Sequence, residues 1–165
     1  MKLLSIVFSF KNEEKNLPEL IERTAKSLSE LASWKYEMIF VNDCSTDKSE
    51  EILLKLQTKY PIRIVNMSRN FGVGPCVLAG FKLAQGDAIV YIDSDLQDPP
   101  EIIKELVKEH EKGAEVVHTV RTKRLGESRV KMFLTLVAYK VINFFSDIPL
   151  HINAGDFKLI SRKAL

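Results

Sequence analysis

Short apolar runs alternate with segments of helical period along nearly the whole chain, and few folds accept that rhythm. Residues 3–10 read as a strand, and Leu17, Leu20, Ile21, Leu28 and Leu31 then recur at helical spacing. The pattern repeats. Residues 36–41 precede a helix holding Ile52, Leu53 and Leu56, residues 62–67 precede a helix over 77–84, and residues 88–92 precede a helix from Pro100. Pro100 suits a first helical turn, Glu101 the positive end of the helix dipole, and Gly113 the far cap. Residues 115–120 supply a fifth strand, and residues 156–160 a short one that closes the domain. Strands separated by helices of this length predict an α/β fold: a mostly parallel sheet with right-handed crossovers and helices on both faces. The 165 residues suffice for one such domain, 1–165, without disulfides or a structural metal.

In open α/β sheets ligands bind outside the carboxyl ends of the strands. The fourth strand ends there in Asp93-Ser94-Asp95-Leu96-Gln97-Asp98-Pro99-Pro100-Glu101. If the pleat persists, Asp93 and Asp95 point the same way, and with Gln97 they offer hard oxygen ligands for Mg²⁺ or Mn²⁺. A cation held there carries a diphosphate. By itself D-x-D is a weak signal in a chain with 22 acidic residues, and its place after an apolar strand gives it weight.

Three more polar clusters follow strands on the same edge: Lys11-Asn12-Glu13-Glu14, Asn42-Asp43-Cys44-Ser45-Thr46-Asp47, and Ser68-Arg69-Asn70-Phe71-Gly72-Val73-Gly74. Each alone has a plain reading, with Asn12, Ser45 and Asp47 as helix caps and Gly72 and Gly74 as turn residues. Together they line one crevice with acceptors for a base and a ribose, a cation, and metal ligands. A nucleoside diphosphate suits it. Asp43 can accept from a base N–H and Glu13 from ribose hydroxyls. There is no G-x-x-x-x-G-K-[ST] loop and no G-x-G-x-x-G after the first strand, which argues against P-loop enzymes and dinucleotide dehydrogenases.

The formal net charge of +2 conceals no acidic or basic tail, so bulk charge implies no nucleic-acid partner. Cys44 and Cys76 lack metal-ligand spacing and read as reduced thiols of a cytosolic setting. No run reaches the roughly 18 to 20 apolar residues of a membrane span. The nearest approach, 132–145, is broken by Lys140 and reads as an amphipathic helix, packed on the core or lying on a membrane surface.

These motifs resemble the inverting nucleotide-sugar glycosyltransferases of family two, which have the GT-A fold. The likeness is greatest to the polyprenyl-phosphate glycosyltransferases, such as dolichol-phosphate mannose synthases and undecaprenyl-phosphate glucosyltransferases. It covers nearly the whole chain, from Asn12-Glu13-Glu14-Lys15-Asn16-Leu17 to Gly155-Asp156-Phe157-Lys158-Leu159, and the segment from Asp93 to Glu101 is the most specific part. The resemblance implies a nucleotide-sugar donor, with Glu13, Asp43 and Arg69 at the nucleotide and Asp93, Asp95 and Gln97 at the metal and diphosphate. It implies a polyprenyl phosphate acceptor met by Arg121, Arg124, Arg129 and Lys131, at the cytoplasmic face of a membrane, and it allows a homo-oligomer. Asp95 and Asp156 are its catalytic carboxylates.

An ionised phosphate acceptor needs positioning more than deprotonation, which gives Asp156 the task of orienting the basic cluster. With a saccharide hydroxyl as acceptor, Asp156 is instead the general base. A nucleotidyltransferase and a non-catalytic nucleotide-binding or membrane-scaffold domain are the more distant alternatives, and intact Asp93, Asp95 and Gln97 argue against the last. Many relatives have Pro and an aromatic where this chain has Ser9 and Lys11, and Arg where it has Lys158. Relatives of this type continue into membrane-spanning helices, so the expectation is a soluble catalytic domain cut from a longer protein.

Overall fold

The computed structural model describes residues 1–120 and 154–165. The chain separates into two compact units, Met1–His118 with Asp156–Leu165, and Thr119–Gly155. The first holds every side chain of the candidate site described below. The amphipathic helix expected over 132–145 and the basic residues Arg121, Arg124, Arg129 and Lys131 lie outside the described residues.

The expected alternation is present: β1 (Lys2–Phe10), α1 (Leu17–Ser29), β2 (Trp34–Asn42), α2 (Ser49–Leu56), β3 (Ile62–Asn66), α3 (Val73–Leu83), β4 (Ala88–Tyr91), α4 (Ile103–Glu111), β5 (Val116–Val120) and β6 (Ala154–Ser161). Among the described residues the six strands form one sheet in the order β3-β2-β1-β4-β6-β5. β1 is central and parallel to both neighbours, from Lys2↔Trp34 to Phe10↔Asn42 on one side and from Leu4↔Ala88 to Val7↔Tyr91 on the other. β3 extends the parallel set, Met38↔Ile62 to Asn42↔Asn66. The carboxyl ends of β1 to β4 therefore share one edge.

The two-residue period of β1 sorts its side chains. Leu4, Ile6, Phe8 and Phe10 face a core shared with Leu17, Leu20, Ile21 and Leu28 of α1, Leu53 of α2 and Ile103, Leu106 and Val107 of α4. Within it the Phe8 and Phe40 rings stack 4.4 Å apart. Val7 faces the other way, into a smaller core with Ile39, Val41, Ile89, Tyr91 and Cys76 of α3. Helices cover both faces, which is why the parallel strands are apolar on both. α3 lies close because Gly80 has no side chain: a Cβ there would stand 2.3 Å from Val7 Cγ1.

Three details refine or correct the expectation. The last strand closes the domain from within the sheet: β6 lies between β4 and β5, antiparallel to β4 from Ala88↔Ser161 to Tyr91↔Lys158, so the mostly parallel sheet is mixed. Arg162 anchors it there, donating from Nε to the Gly86 carbonyl at 3.0 Å and from a terminal nitrogen to the Ala84 carbonyl at 2.6 Å. α3 starts at Val73 rather than 77, directly after Gly72 at φ 86°. Pro100 opens a single 3₁₀ turn, Pro100–Ile102, before α4 begins.

Candidate active site

The first two loops on the carboxyl edge are laced together. Asn12, in the left-handed region at φ 59°, donates its backbone N–H to Ser45 Oγ at 3.0 Å and accepts from Thr46 N at Oδ1, 2.8 Å. Glu13 N donates to Ser49 Oγ at 2.9 Å, and Glu14 N to Asp47 Oδ2 at 3.1 Å. The Asn, Ser and Asp residues that read locally as caps thus serve a contact between loops. Neither Asn16 nor Lys48, the residues at the starts of α1 and α2, makes a side-chain capping bond. Asp47 comes nearest, accepting from Ser49 N at 3.0 Å.

Asp43, buried at the end of β2, reaches across to the third loop. Its Oδ1 accepts from Phe71 N at 2.7 Å and its Oδ2 from Gly72 N at 2.9 Å. Burial alone would raise its pKa, but those two amides, the Cys76 thiol and the charge of Lys11 hold the carboxyl below its usual value. The same encounter pushes the buried Cys76 thiol up to about 11, through burial first and then the Asp43 charge. Cys76 is a protonated donor here. Arg69 lies on this third loop, its guanidinium 4.7 Å from the centre of the Phe71 ring.

The fourth loop carries the paired carboxylates. β4 ends at Tyr91, so the strand pleat expected to align Asp93 and Asp95 stops short of them, and both reach the cavity from the turn that follows. Leu96 adopts φ 61°, a strained backbone for a branched side chain, and the chain folds back so that Gln97 N donates to Asp95 Oδ1 at 3.0 Å. Asp93 is held from within the sheet, where the Tyr91 hydroxyl donates to its Oδ1 at 2.6 Å. Ser9 Oγ lies 3.0 Å from the same hydroxyl, and Ser94 Oγ donates to the Ser9 carbonyl at 2.9 Å.

Burial pushes the Asp93 carboxyl up, and the charges of Asp95, Asp156 and Asp98 add to this against the opposing bond from Tyr91. The Tyr91 hydroxyl is raised as well, by burial and by Asp93, and so remains a donor. Continuing the β4–β6 register by two residues sets Asp156 opposite Asp93, consistent with its charge acting there.

A cavity of about 340 Å³ opens between these loops. Ser9, Phe10, Lys11 and Glu13 line it from β1 and its loop, Asp43 from the loop after β2, Val73 and Cys76 from α3, and Asp93, Ser94 and Asp95 from the fourth loop. Four of the expected site residues, Glu13, Asp43, Asp93 and Asp95, are thus brought together. Arg69, Gln97 and Asp156 do not line it, and Gln97 meets Asp95 through its backbone. Glu13 carries a further bond, accepting from Asn16 Nδ2 at 2.6 Å.

Tyr91 and Cys76 escaped the sequence reading because both sit in apolar runs. The two-residue period was the available signal for Tyr91, since it places that side chain on the face of Asp93. No group of three or more His, Cys, Asp and Glu side chains suited to a metal occurs among the described residues. No described helix is long and apolar enough to cross a membrane.

The profile of glycosyl transferase family 2 matches residues 5–165. An uncharacterised glycosyltransferase of Synechocystis is 45% identical over 98% of this chain and 51% of its own length. A prophage bactoprenol glucosyl transferase homologue of Escherichia coli is 38% identical over 96% of this chain and 52% of its own. The chain spans about half the length of the curated relatives it matches. Among solved structures, glucosyl-3-phosphoglycerate synthase of Mycobacterium tuberculosis, in complex with Mn²⁺, UDP-glucose and phosphoglyceric acid, superposes with a TM-score of 0.68. At 23% identity over 98% of this chain and 57% of that one, the likeness concerns the fold, which is GT-A.

Proposed function

Because the chain belongs to glycosyl transferase family 2, we propose that it moves a sugar, with inversion, from a UDP- or GDP-sugar to a polyprenyl phosphate at the cytoplasmic face of a membrane. Residues 1–165 are assigned to the catalytic domain. The observation that carries the reading is the cavity at the carboxyl edge, where Asp93 and Asp95 meet Glu13 and Asp43. The bactoprenol glucosyl transferase name of a relative 38% identical supports the lipid phosphate as acceptor.

The donor set fits a divalent cation. Asp93 and Asp95 each have one oxygen engaged by a protein donor, and Mg²⁺ sites typically combine one or two carboxylates with substrate phosphates. The crowding of Asp93 by three other carboxylates is relieved by a positive charge. We assign Asp93 and Asp95 as ligands of Mg²⁺ or Mn²⁺, with the Gln97 amide as a further oxygen on the same turn. When bound, the cation supplies Lewis-acid neutralisation of charge developing on the departing diphosphate.

The protein's own residues do the rest. Asp43 spends one lone pair of each oxygen on the third loop and keeps acceptor capacity for a base N–H, while Glu13 accepts from the ribose. Lys11 brings a cation into a cavity whose other charged lining groups are the carboxylates of Glu13, Asp43, Asp93 and Asp95, and Arg69 is assigned to the donor nucleotide. Arg121, Arg124, Arg129 and Lys131 are assigned to the acceptor phosphate, whose oxygen is already ionised and needs orientation rather than a base. Asp156 orients the acceptor side.

Titration calorimetry with UDP, GDP and their sugar conjugates, with Mn²⁺ and again with EDTA, tests the reading. One nucleotide family is expected to bind, and only with the metal. A folded chain that binds none of them would overturn it.

A further inference from the structure

We propose that Tyr91 is a positioning residue for the cation site: its hydroxyl, itself held by Ser9, fixes Asp93 through Oδ1 and leaves Oδ2 for the metal. The inference rests on the assignment of Asp93 and Asp95 as ligands and deepens it.

The hydroxyl is the unexpected part of this side chain. Tyr91 is 3% exposed and its ring packs edge-on against Phe81, centroids 6.4 Å apart, in the core beneath α3. A plain aromatic would fill that space. A buried hydroxyl is retained at a cost unless it is bonded, and this one meets two partners, Asp93 Oδ1 at 2.6 Å and Ser9 Oγ at 3.0 Å. Ser9, 7% exposed, is tied in turn by Ser94, 5% exposed, which donates to its carbonyl. An ionised carboxylate only accepts, so the direction of the chain is settled: Ser9 donates to Tyr91, and Tyr91 donates to Asp93.

The second carboxylate follows the same plan from a different source. Asp95 Oδ1 is held by Gln97 N. Each carboxylate is thus fixed at one oxygen, which suits single-oxygen ligation of an ion that demands near-octahedral geometry at short range. Outer hydrogen bonds of this kind orient metal ligands, and their loss typically lowers metal affinity about 10- to 100-fold.

Mn²⁺ binding to the full chain, followed by calorimetry or by the spin-resonance signal of free Mn²⁺ with and without UDP, tests the proposal without any turnover. Tyr91→Phe keeps the ring and removes the hydroxyl. The expected result is a melting temperature within about 4 °C of wild type and a Kd for Mn²⁺ raised about tenfold or more. Ser9→Ala, which frees the Tyr91 hydroxyl without deleting it, is expected to fall between the two. A folded Tyr91→Phe with unchanged Kd would overturn the inference; should that variant fail to fold, Ser9→Ala decides by the same criterion. Asp95→Asn separates the two levels. If it loses Mn²⁺ while Tyr91→Phe does not, the positioning role alone falls; if it binds Mn²⁺ as wild type does, the metal assignment falls and the positioning role with it.

Discussion

The Asp43 carboxylate grips the backbone of Gly72, with Oδ2 2.9 Å from its amide nitrogen, while Oδ1 takes the preceding amide of Phe71 at 2.7 Å. One side chain thereby ties the end of β2 to the loop that opens α3, across the wall of the cavity. Asp43→Asn keeps one acceptor and turns an NH₂ toward the other amide. A buried donor left without its acceptor costs about 1 to 3 kcal/mol. The expected outcome is a melting temperature lowered by several degrees together with weaker nucleotide binding, read by thermal unfolding and UDP calorimetry. Loss of binding with no loss of stability would mean that Asp43 serves the ligand alone.

Asp43 and Asp47 both have carboxyls held below the value of about 3.8 that they regain on unfolding. For Asp47, burial opposes the shift and the Ser49 hydroxyl, with backbone amides that include those of Ser49 and Glu14, outweighs it. Below 3.8 the unfolded chain therefore takes up protons that the folded one refuses, so the stability these groups contribute is complete above 3.8 and lost as pH falls through the lower folded values. Asp93, shifted upward, works in the opposite sense and offsets part of the loss. Urea midpoints at about pH 5 and about pH 3 should fall more steeply for wild type than for Asp47→Asn. Equal slopes would remove Asp47 from the account.

Much of this architecture was legible because apolar period and element length are local properties. The segment Asp93 to Glu101 could be placed at the carboxyl edge because the run before it is a strand in any reading. The place of β6 was hidden, since alternation along Phe157 and Leu159 tells which face is buried and not which strand lies alongside; Arg162 binding the Ala84 and Gly86 carbonyls decides that, from 76 to 78 residues away. Asn12, Ser45 and Asp47 left two readings open for a related reason. A short polar side chain that caps a helix and one that joins two loops look alike until the partner is known. Val73-Gly74-Pro75 begins α3 against its weak helix propensity because the amides before it are already held by Asp43.

Gly80 lets α3 approach the sheet, and its replacement tests how rigid that contact is. The new Cβ of Gly80→Ala would lie 2.3 Å from Val7 Cγ1 and 3.3 Å from Val41 Cγ2. Val7 is β-branched and fully buried, so it has little room to turn. Overpacking of this kind costs about 1 to 3 kcal/mol, more than the roughly 1 kcal/mol of helix propensity that Ala adds. Denaturant unfolding should show Gly80→Ala destabilised, and adding Val7→Ala should cost less than Val7→Ala does alone. Strict additivity of the two changes would deny the contact.

Asp95 is exposed, and its one intramolecular bond among those described comes from Gln97 N. Asn at this position keeps an oxygen for that bond and removes the charge. Asp95→Asn is therefore expected to leave the melting temperature within a few degrees, abolish metal-dependent binding of the donor and reduce transfer to background. Calorimetry with and without Mn²⁺, beside an unfolding curve, separates the possibilities. A collapse in stability would make Asp95 a structural residue of the turn at Leu96.

Arg129 belongs to the basic segment assigned to the acceptor, which lies outside the described residues and rests on its sequence alone. A guanidinium that holds a phosphate through two parallel bonds contributes about 1.5 to 3 kcal/mol, since hydrogen bonds to charged groups are the strong ones. At about 1.4 kcal/mol per factor of ten, Arg129→Ala should raise the KM for a polyprenyl phosphate roughly 10- to 100-fold. The affinity for the nucleotide should stay near wild type, because the residues assigned to the donor side are Glu13, Asp43, Asp93 and Asp95, which line the cavity. Steady-state kinetics with each substrate varied in turn reads both quantities. A matched loss in donor and acceptor would detach Arg129 from the acceptor phosphate and place its effect on the fold of the segment instead.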